Sequence, residues 1–154
     1  MLSKRRATSL NTALNDILEK LADYVDHRKV KLFKKLDKDV IVNLDKKEFY
    51  QACFQITKNA CDAMPEGGNL YVTSKLEENL ISISFKDTGI GIPSSVIENV
   101  FEPFFSHGKK QCVGLGLSIA EKIVKDQDGT VTADSDIGEG ATFTISLPIY
   151  KADG

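Results

Sequence analysis

Apolar positions in this chain fall into two alternating periods. From Ser9 to about Val25, Leu10, Ala13, Leu14, Ile17, Leu21 and Tyr24 recur at helical spacing and predict an amphipathic helix. Lys29 to Leu36 alternates Val30 and Leu32 with lysines, as a strand with one wet face does, and a short extended piece runs from Val40 to Leu44. Asp45 stands where an N-cap belongs, with Glu48 three residues on, a capping-box pattern. The helix it opens runs to about Met64 and is broken by Pro65-Glu66-Gly67-Gly68. Strands follow at about Leu70–Leu76 and Leu80–Lys86, joined around Glu77-Glu78-Asn79; Ile81, Ile83 and Phe85 alternate with Ser82, Ser84 and Lys86. After the loop Asp87–Pro93, Ser94 caps a short helix ending near Val100, and residues 101–113 are irregular in composition. A helix from Gly116 to Lys125 and strands at Thr130–Ser135 and Ala141–Pro148 complete the chain, the last two joined by Ile137-Gly138-Glu139-Gly140. This order predicts a two-layer α/β sandwich, a mixed and mostly antiparallel sheet covered on one face by about three helices.

Composition narrows the class. At 154 residues the chain is one domain, with residues 1–8 as a linker or tail, 9–150 as the folded unit and 151–154 as a tail. Charged residues interrupt every apolar run, so no segment can span a bilayer, and no apolar stretch follows the basic N-terminus to make a secretory signal. A formal net charge of −2 gives no support to nucleic-acid binding. Cys53, Cys61 and Cys112 have no metal-ligand spacing and read as free thiols of a reducing compartment.

Four short patterns could carry chemistry. Gln55, Asn59 and Asp62 share one side of the second helix, and small residues leave room beside Asn59, whose amide oxygen is a hard ligand suited to Mg²⁺. Asp87-Thr88-Gly89-Ile90-Gly91-Ile92 ends a strand in a carboxylate able to accept from an exocyclic amine, with glycines that let backbone approach a flat ring. Gly114-Leu115-Gly116-Leu117-Ser118 opens a helix whose bare N–H groups suit an anion. Gly138-Glu139-Gly140-Ala141-Thr142-Phe143 is a tight turn into the last strand. Each alone is equally consistent with a wet helix face, a turn or a hinge.

Taken in order, with Phe101-Glu102-Pro103-Phe104-Phe105 between the second and third, they resemble the asparagine, glycine and phenylalanine boxes of the histidine-kinase-type ATPases, a superfamily that also holds DNA gyrase B, the Hsp90 chaperones and MutL. The fragments NACDAMP, FEPFF and GLGLSIAEKIV are similar to sensor histidine kinases, those of the nitrogen-regulatory type most of all. The resemblance spans about Ser9 to Pro148 and implies the Bergerat fold, with ATP and Mg²⁺ as ligands. By it, Asn59 would hold Mg²⁺, Asp87 would read the adenine amino group, and Gly89, Gly91 and Ile92 would lie along the base. Gly114, Leu115, Gly116 and Leu117 would cradle phosphates, residues 101–113 would form a lid with Phe104 and Lys109 turned to the nucleotide, and Thr142 would add a hydroxyl. The catalytic positions would be Asn59 and Gln55, acting by positioning and charge neutralisation rather than by acid–base chemistry.

The pattern is departed from in places. Gln55 stands where the kinases often have Asn and the hydrolysing relatives have Glu, and an amide cannot be a general base. Cys112 and Val113 replace a usual Gly-Thr, and Ala141 a common Thr. Neither His27 nor His107 has the context of a phospho-acceptor. The resemblance therefore implies a cytoplasmic catalytic domain, monomeric by itself, that phosphorylates a histidine on a separate dimerisation domain, with a response regulator next in line. The alternatives are an ATP-sensing module without phosphotransfer and an anti-sigma-type serine kinase.

Overall fold

The computed structural model describes residues 4–91, 100–101, 116–135 and 138–150. The elements are β1 (Arg6–Ser9), α1 (Leu10–His27), β2 (Val30–Lys35), β3 (Ile41–Leu44), α2 (Lys46–Asp62), β4 (Gly68–Glu77), β5 (Leu80–Asp87), α3 (Gly116–Asp126), β6 (Thr130–Ser135) and β7 (Ala141–Pro148). Five strands form one sheet in the order β2-β4-β5-β7-β6, and β1 and β3 make a second, two-stranded sheet. Among the described residues β2 and β4 are the only parallel pair of the large sheet, with α2 and β3 between them in the chain; its other pairs are antiparallel. The expected sandwich of three helices on a mixed sheet is the fold observed.

Period-two alternation sorts the sheet into a dry and a wet face. Leu70 and Val72, Ile81, Ile83 and Phe85, and Phe143, Ile145 and Leu147 are buried toward the helices. Behind them, Ser82 meets Ser146 and Ser84 meets Thr144 in hydroxyl pairs at 3.3 and 3.1 Å. The helices return the matching stripe: Leu10, Leu14, Ile17, Leu21 and Val25 from α1, Phe49, Cys53, Ile56 and Ala60 from α2, and Leu117, Ala120 and Val124 from α3. Each large aliphatic chain so buried contributes roughly 1.5–3 kcal/mol.

Two sequence expectations change. Arg6–Ser9, within or beside the stretch read as a tail, pairs with β3 from Arg6↔Leu44 to Ser9↔Ile41. Polar side chains hid it, since a short strand on a small sheet buries little and is held by backbone bonds. The capping box forms by half: Asp45 Oδ1 accepts from the Glu48 backbone N–H at 3.1 Å, but the Asp45 N–H donates to Gln127 Oε1 at 2.9 Å. A side chain from the far end of α3 has taken the place expected of Glu48. The short helix at Ser94 lies outside the described residues. Among the described residues no helix is long and apolar enough to cross a membrane.

Candidate functional site

One end of the sheet gathers the carboxylate, a helix flank and two turns. Asp87 closes the central strand β5 on its dry face, where alternation after Phe85 requires an inward side chain, and it is only 1% exposed. Its Oδ1 accepts from the Gly89 N–H at 2.9 Å and the Ala141 N–H at 3.1 Å. Its Oδ2 is buried and has no hydrogen-bond partner among the described residues. Burial raises the Asp87 pKa above the carboxylate's ordinary 3.8, against the lowering effect of the Gly89 and Ala141 hydrogen bonds. A buried carboxylate oxygen held in place and left unsatisfied is an acceptor aimed at a donor still to come.

The surrounding backbone is crowded against this group. A β-carbon at Gly140 would lie 2.1 Å from the Asp87 carbonyl oxygen, and Gly140 has φ +83°. Both facts demand glycine there. A β-carbon at Gly89 would meet the Ala63 carbonyl oxygen at 2.5 Å, so the Asp87 loop is pressed on the C-terminal end of α2. The Ile90 N–H donates to that same oxygen at 3.3 Å, and the Ile90 carbonyl accepts from Gly138 at 2.8 Å, tying the two turns together. Gly91 takes φ +77°.

Along α2, Gln55, Asn59 and Ala63 fall at i, i+4 and i+8, one face of the helix. Ala63 touches the Asp87 loop, and Gln55 reaches Gly116, the first residue of α3. Half-buried Asn59 lies between them on that helix face. Asp62, on the next polar position, is occupied: it accepts from Arg28 at 2.8 Å and from Lys58 at 3.1 Å. Among the described residues, no group of three or more His, Cys, Asp or Glu side chains is arranged for a metal, so any cation would depend on Asn59 and on the oxygens of its ligand.

The sequence-predicted residues are thus brought together in part. Gln55 lies against Gly116, and Gly89 is held between Asp87 and the Ala63 carbonyl, while the Leu117 side chain is buried in the core. Thr142 does not join them. It pairs with Lys86 and Asp134 on the wet face, where it lines a groove, while its neighbour Ala141 faces Asp87. The expectation of a Thr142 hydroxyl at the nucleotide is corrected by the strand's alternation. Ile92, Phe104, Lys109, Gly114 and Leu115 lie outside the described residues. Phe101 sets its ring edge-on to Phe143, centroids 5.9 Å apart, which anchors it to the core. Sequence reading missed the Ala141 N–H and the Ala63 carbonyl, since backbone groups leave no signature in side-chain identity. Cys53 and Cys61 are both buried, and burial pushes the Cys61 thiol up to about 11.

Comparison with known proteins places the chain in a family and a fold. The profile of the family described as histidine kinase-, DNA gyrase B-, and HSP90-like ATPase matches residues 44–151. The chain is 32% identical over 161 residues to sporulation kinase C of Bacillus subtilis (strain 168), covering 99% of this chain and 37% of that protein. It is 39% identical over 124 residues to the sensor histidine kinase WalK of the same organism, covering 76% of this chain and 20% of the relative. The chain therefore spans little more than a third, or less, of the curated relatives it matches. The catalytic domain of the histidine kinase ThkA superposes with TM-score 0.82 at 26% identity, over 95% of this chain and 96% of that one. ThkA has also been solved in complex with the response regulator protein TrrA, superposing with TM-score 0.79 at 24% identity over 95% of this chain and 42% of that one.

Proposed function

Since the chain belongs to the histidine kinase-, DNA gyrase B-, and HSP90-like ATPases, we propose that it is the part of a sensor kinase that binds ATP with Mg²⁺ and delivers the γ-phosphoryl group to a histidine on a separate domain. The observation that carries this reading is the unsatisfied Asp87 Oδ2. It is a buried acceptor, and the exocyclic amine of adenine is a donor of matching size, whereas guanine would present a carbonyl oxygen to it. Gly140 and Gly89 let the backbone close on the Asp87 and Ala63 carbonyls, which holds the loop tightly around the buried carboxylate.

Asn59 supplies the amide oxygen for Mg²⁺, which suits a hard cation that keeps several ligands from phosphate and water. When bound, Mg²⁺ would neutralise charge developing on the triphosphate. The α3 start at Gly116 offers the positive end of a helix to the phosphates. No side chain in this set is a general base, because Gln55 is an amide. Neutral histidine is already nucleophilic, so transfer needs positioning of the donor rather than proton abstraction. Hydrolysis of ATP would need such activation of the attacking water, which is why phosphotransfer to histidine, with ADP leaving, is the reading preferred. The partners would be the histidine-bearing domain directly and a response regulator after it, the class of protein with which ThkA was solved.

Calorimetric titration of the chain with Mg²⁺ and a non-hydrolysable ATP analogue tests the binding step. One-to-one binding is expected, lost in Asp87→Ala and with a weaker Mg²⁺ dependence in Asn59→Ala. A histidine-bearing domain added with labelled ATP should then acquire an acid-labile phosphoryl group. Binding without transfer would leave an ATP-sensing module, and acid-stable label on serine would indicate a serine kinase.

A further inference from the structure

Asn59 has an amide neighbour one turn earlier, and its position says more than its chemistry. The three heavy atoms nearest to where a Gly116 β-carbon would lie all belong to Gln55: Oε1 at 2.5 Å, Cδ at 3.5 Å and Cβ at 3.9 Å. The side-chain oxygen of Gln55 therefore fills the space that glycine leaves open at the first residue of α3. In a helix that space points toward the N-terminus, so the oxygen rests against the first described turn of α3. An asparagine at the same position would be shorter by one methylene and its oxygen would fall back toward α2.

Gln55 thus spans the gap between the helix that carries Asn59 and the helix whose start faces the phosphates. We propose that Gln55 is a positioning residue: its side-chain oxygen seats the first turn of α3 against α2 and so sets the spacing between the metal-binding amide and the phosphate-facing helix end. The inference rests on the nucleotide reading above, and it explains why an amide unable to act as a base occupies this position. It also assigns Gly116 a definite role. Glycine there admits the Gln55 oxygen, and any larger residue would evict it. Because the evicted atom is the tip of a flexible chain, eviction is tolerated by the fold.

The test is a double-mutant cycle with two ligands. Gln55→Ala removes the oxygen and Gly116→Ala displaces it, so each is expected to weaken binding of the Mg²⁺–ATP analogue by about tenfold, with the double variant no weaker than either single one. Adenosine, which reports only on the Asp87 pocket and is followed by NMR shift titration, should bind all variants alike. Gln55→Asn, the gentler change, should lie between wild type and Gln55→Ala, and it serves as the probe if either alanine variant does not fold. Additive losses in the double variant, or parallel losses for adenosine, would overturn the proposal. Wild-type protein that binds adenosine but shows no gain from the Mg²⁺–triphosphate would overturn it too. Wild-type protein that binds neither ligand would instead bring down the nucleotide reading on which it stands.

Discussion

Asp87 divides its two oxygens between the fold and the ligand. Oδ1 is spent on the Gly89 and Ala141 N–H groups, and Oδ2 is kept free. Asp87→Asn should preserve the first set, with its amide oxygen facing the two donors, and present an NH₂ where Oδ2 was. A donor would then face the adenine amine, and affinity for ATP should fall by roughly 10–100-fold, as expected for about 1–3 kcal/mol from a mismatched buried pair. GTP should lose less, since guanine offers an acceptor. Titration of both nucleotides checks this. Stability should move the other way. The native Asp87 pKa lies above its ordinary 3.8, so between those two values the native state retains a proton that the unfolded chain has released, and above them the carboxylate is ionised in both states. Its contribution is full below the unfolded value and is lost as pH rises through the raised native value. Asp87→Asn should therefore be at least as stable as wild type at pH 7, the difference closing toward pH 3.8, as measured by urea denaturation. The aspartate and its glycines are legible in sequence because the residue types are so restricted. That Oδ1 and not Oδ2 is consumed is a matter of where Ala141 comes to lie, 54 residues away.

The helices were legible to within a few residues because each repeats its apolar stripe over several turns. Their ends were less so. Asp45 caps α2 as expected, and Ser9, read as the start of the first helical stretch, is the N-cap of α1. What completes the α2 cap is Gln127, 2% exposed, which accepts the Asp45 N–H from 82 residues away. Nothing local marks a glutamine between Lys125-Asp126 and Asp128 as a core residue. Gln127→Ala should leave a buried N–H unpaired and cost about 1–3 kcal/mol, a loss readable as a lower denaturation midpoint with an unchanged slope. Nucleotide affinity should hold, since the cap is at the opposite end of α2 from Asn59. The wet-face position of Thr142 belongs to the same scale: a one-residue step along a strand reverses the side chain, so adjacency to Ala141 in sequence placed it on the wrong face.

At the scale of the whole molecule, the N-terminal segment is part of the domain. Arg5 donates to the Asn43 carbonyl at 3.2 Å and the Gln127 carbonyl at 3.3 Å, and pairs with Asp128 at 3.1 Å. The Lys4 N–H donates to Asp45 Oδ2 at 2.9 Å. These bonds join β1, β3, the start of α2 and the end of α3 at one corner. Deleting residues 1–8, with the Ser9 cap kept, removes these four interactions and most of the β1–β3 ladder, and should cost on the order of 4 kcal/mol or more at about 1 kcal/mol per net hydrogen bond. Melting should then fall by roughly 8–16 °C in a scanning calorimeter. Affinity for the Mg²⁺–ATP analogue should change by less than about twofold, because the corner and the Asp87 pocket sit at opposite ends of the helix layer.

By itself the sequence determined the three described helices, the strands from β2 onward and the two-layer class, and it singled out Asn59, Asp87, Gly89 and Gly91 as candidates for one site. Periodicity and residue type are local properties, and they survive without knowledge of what packs on what. The tertiary structure decided the rest: the strand order with its single parallel pair, the β1–β3 sheet, the Gln127 cap, and the seating of the Gln55 oxygen at Gly116. Those features depend on backbone groups and on polar side chains whose partners are distant in the chain. Such a group leaves no periodic trace, and only closure of the core brings it to its partner.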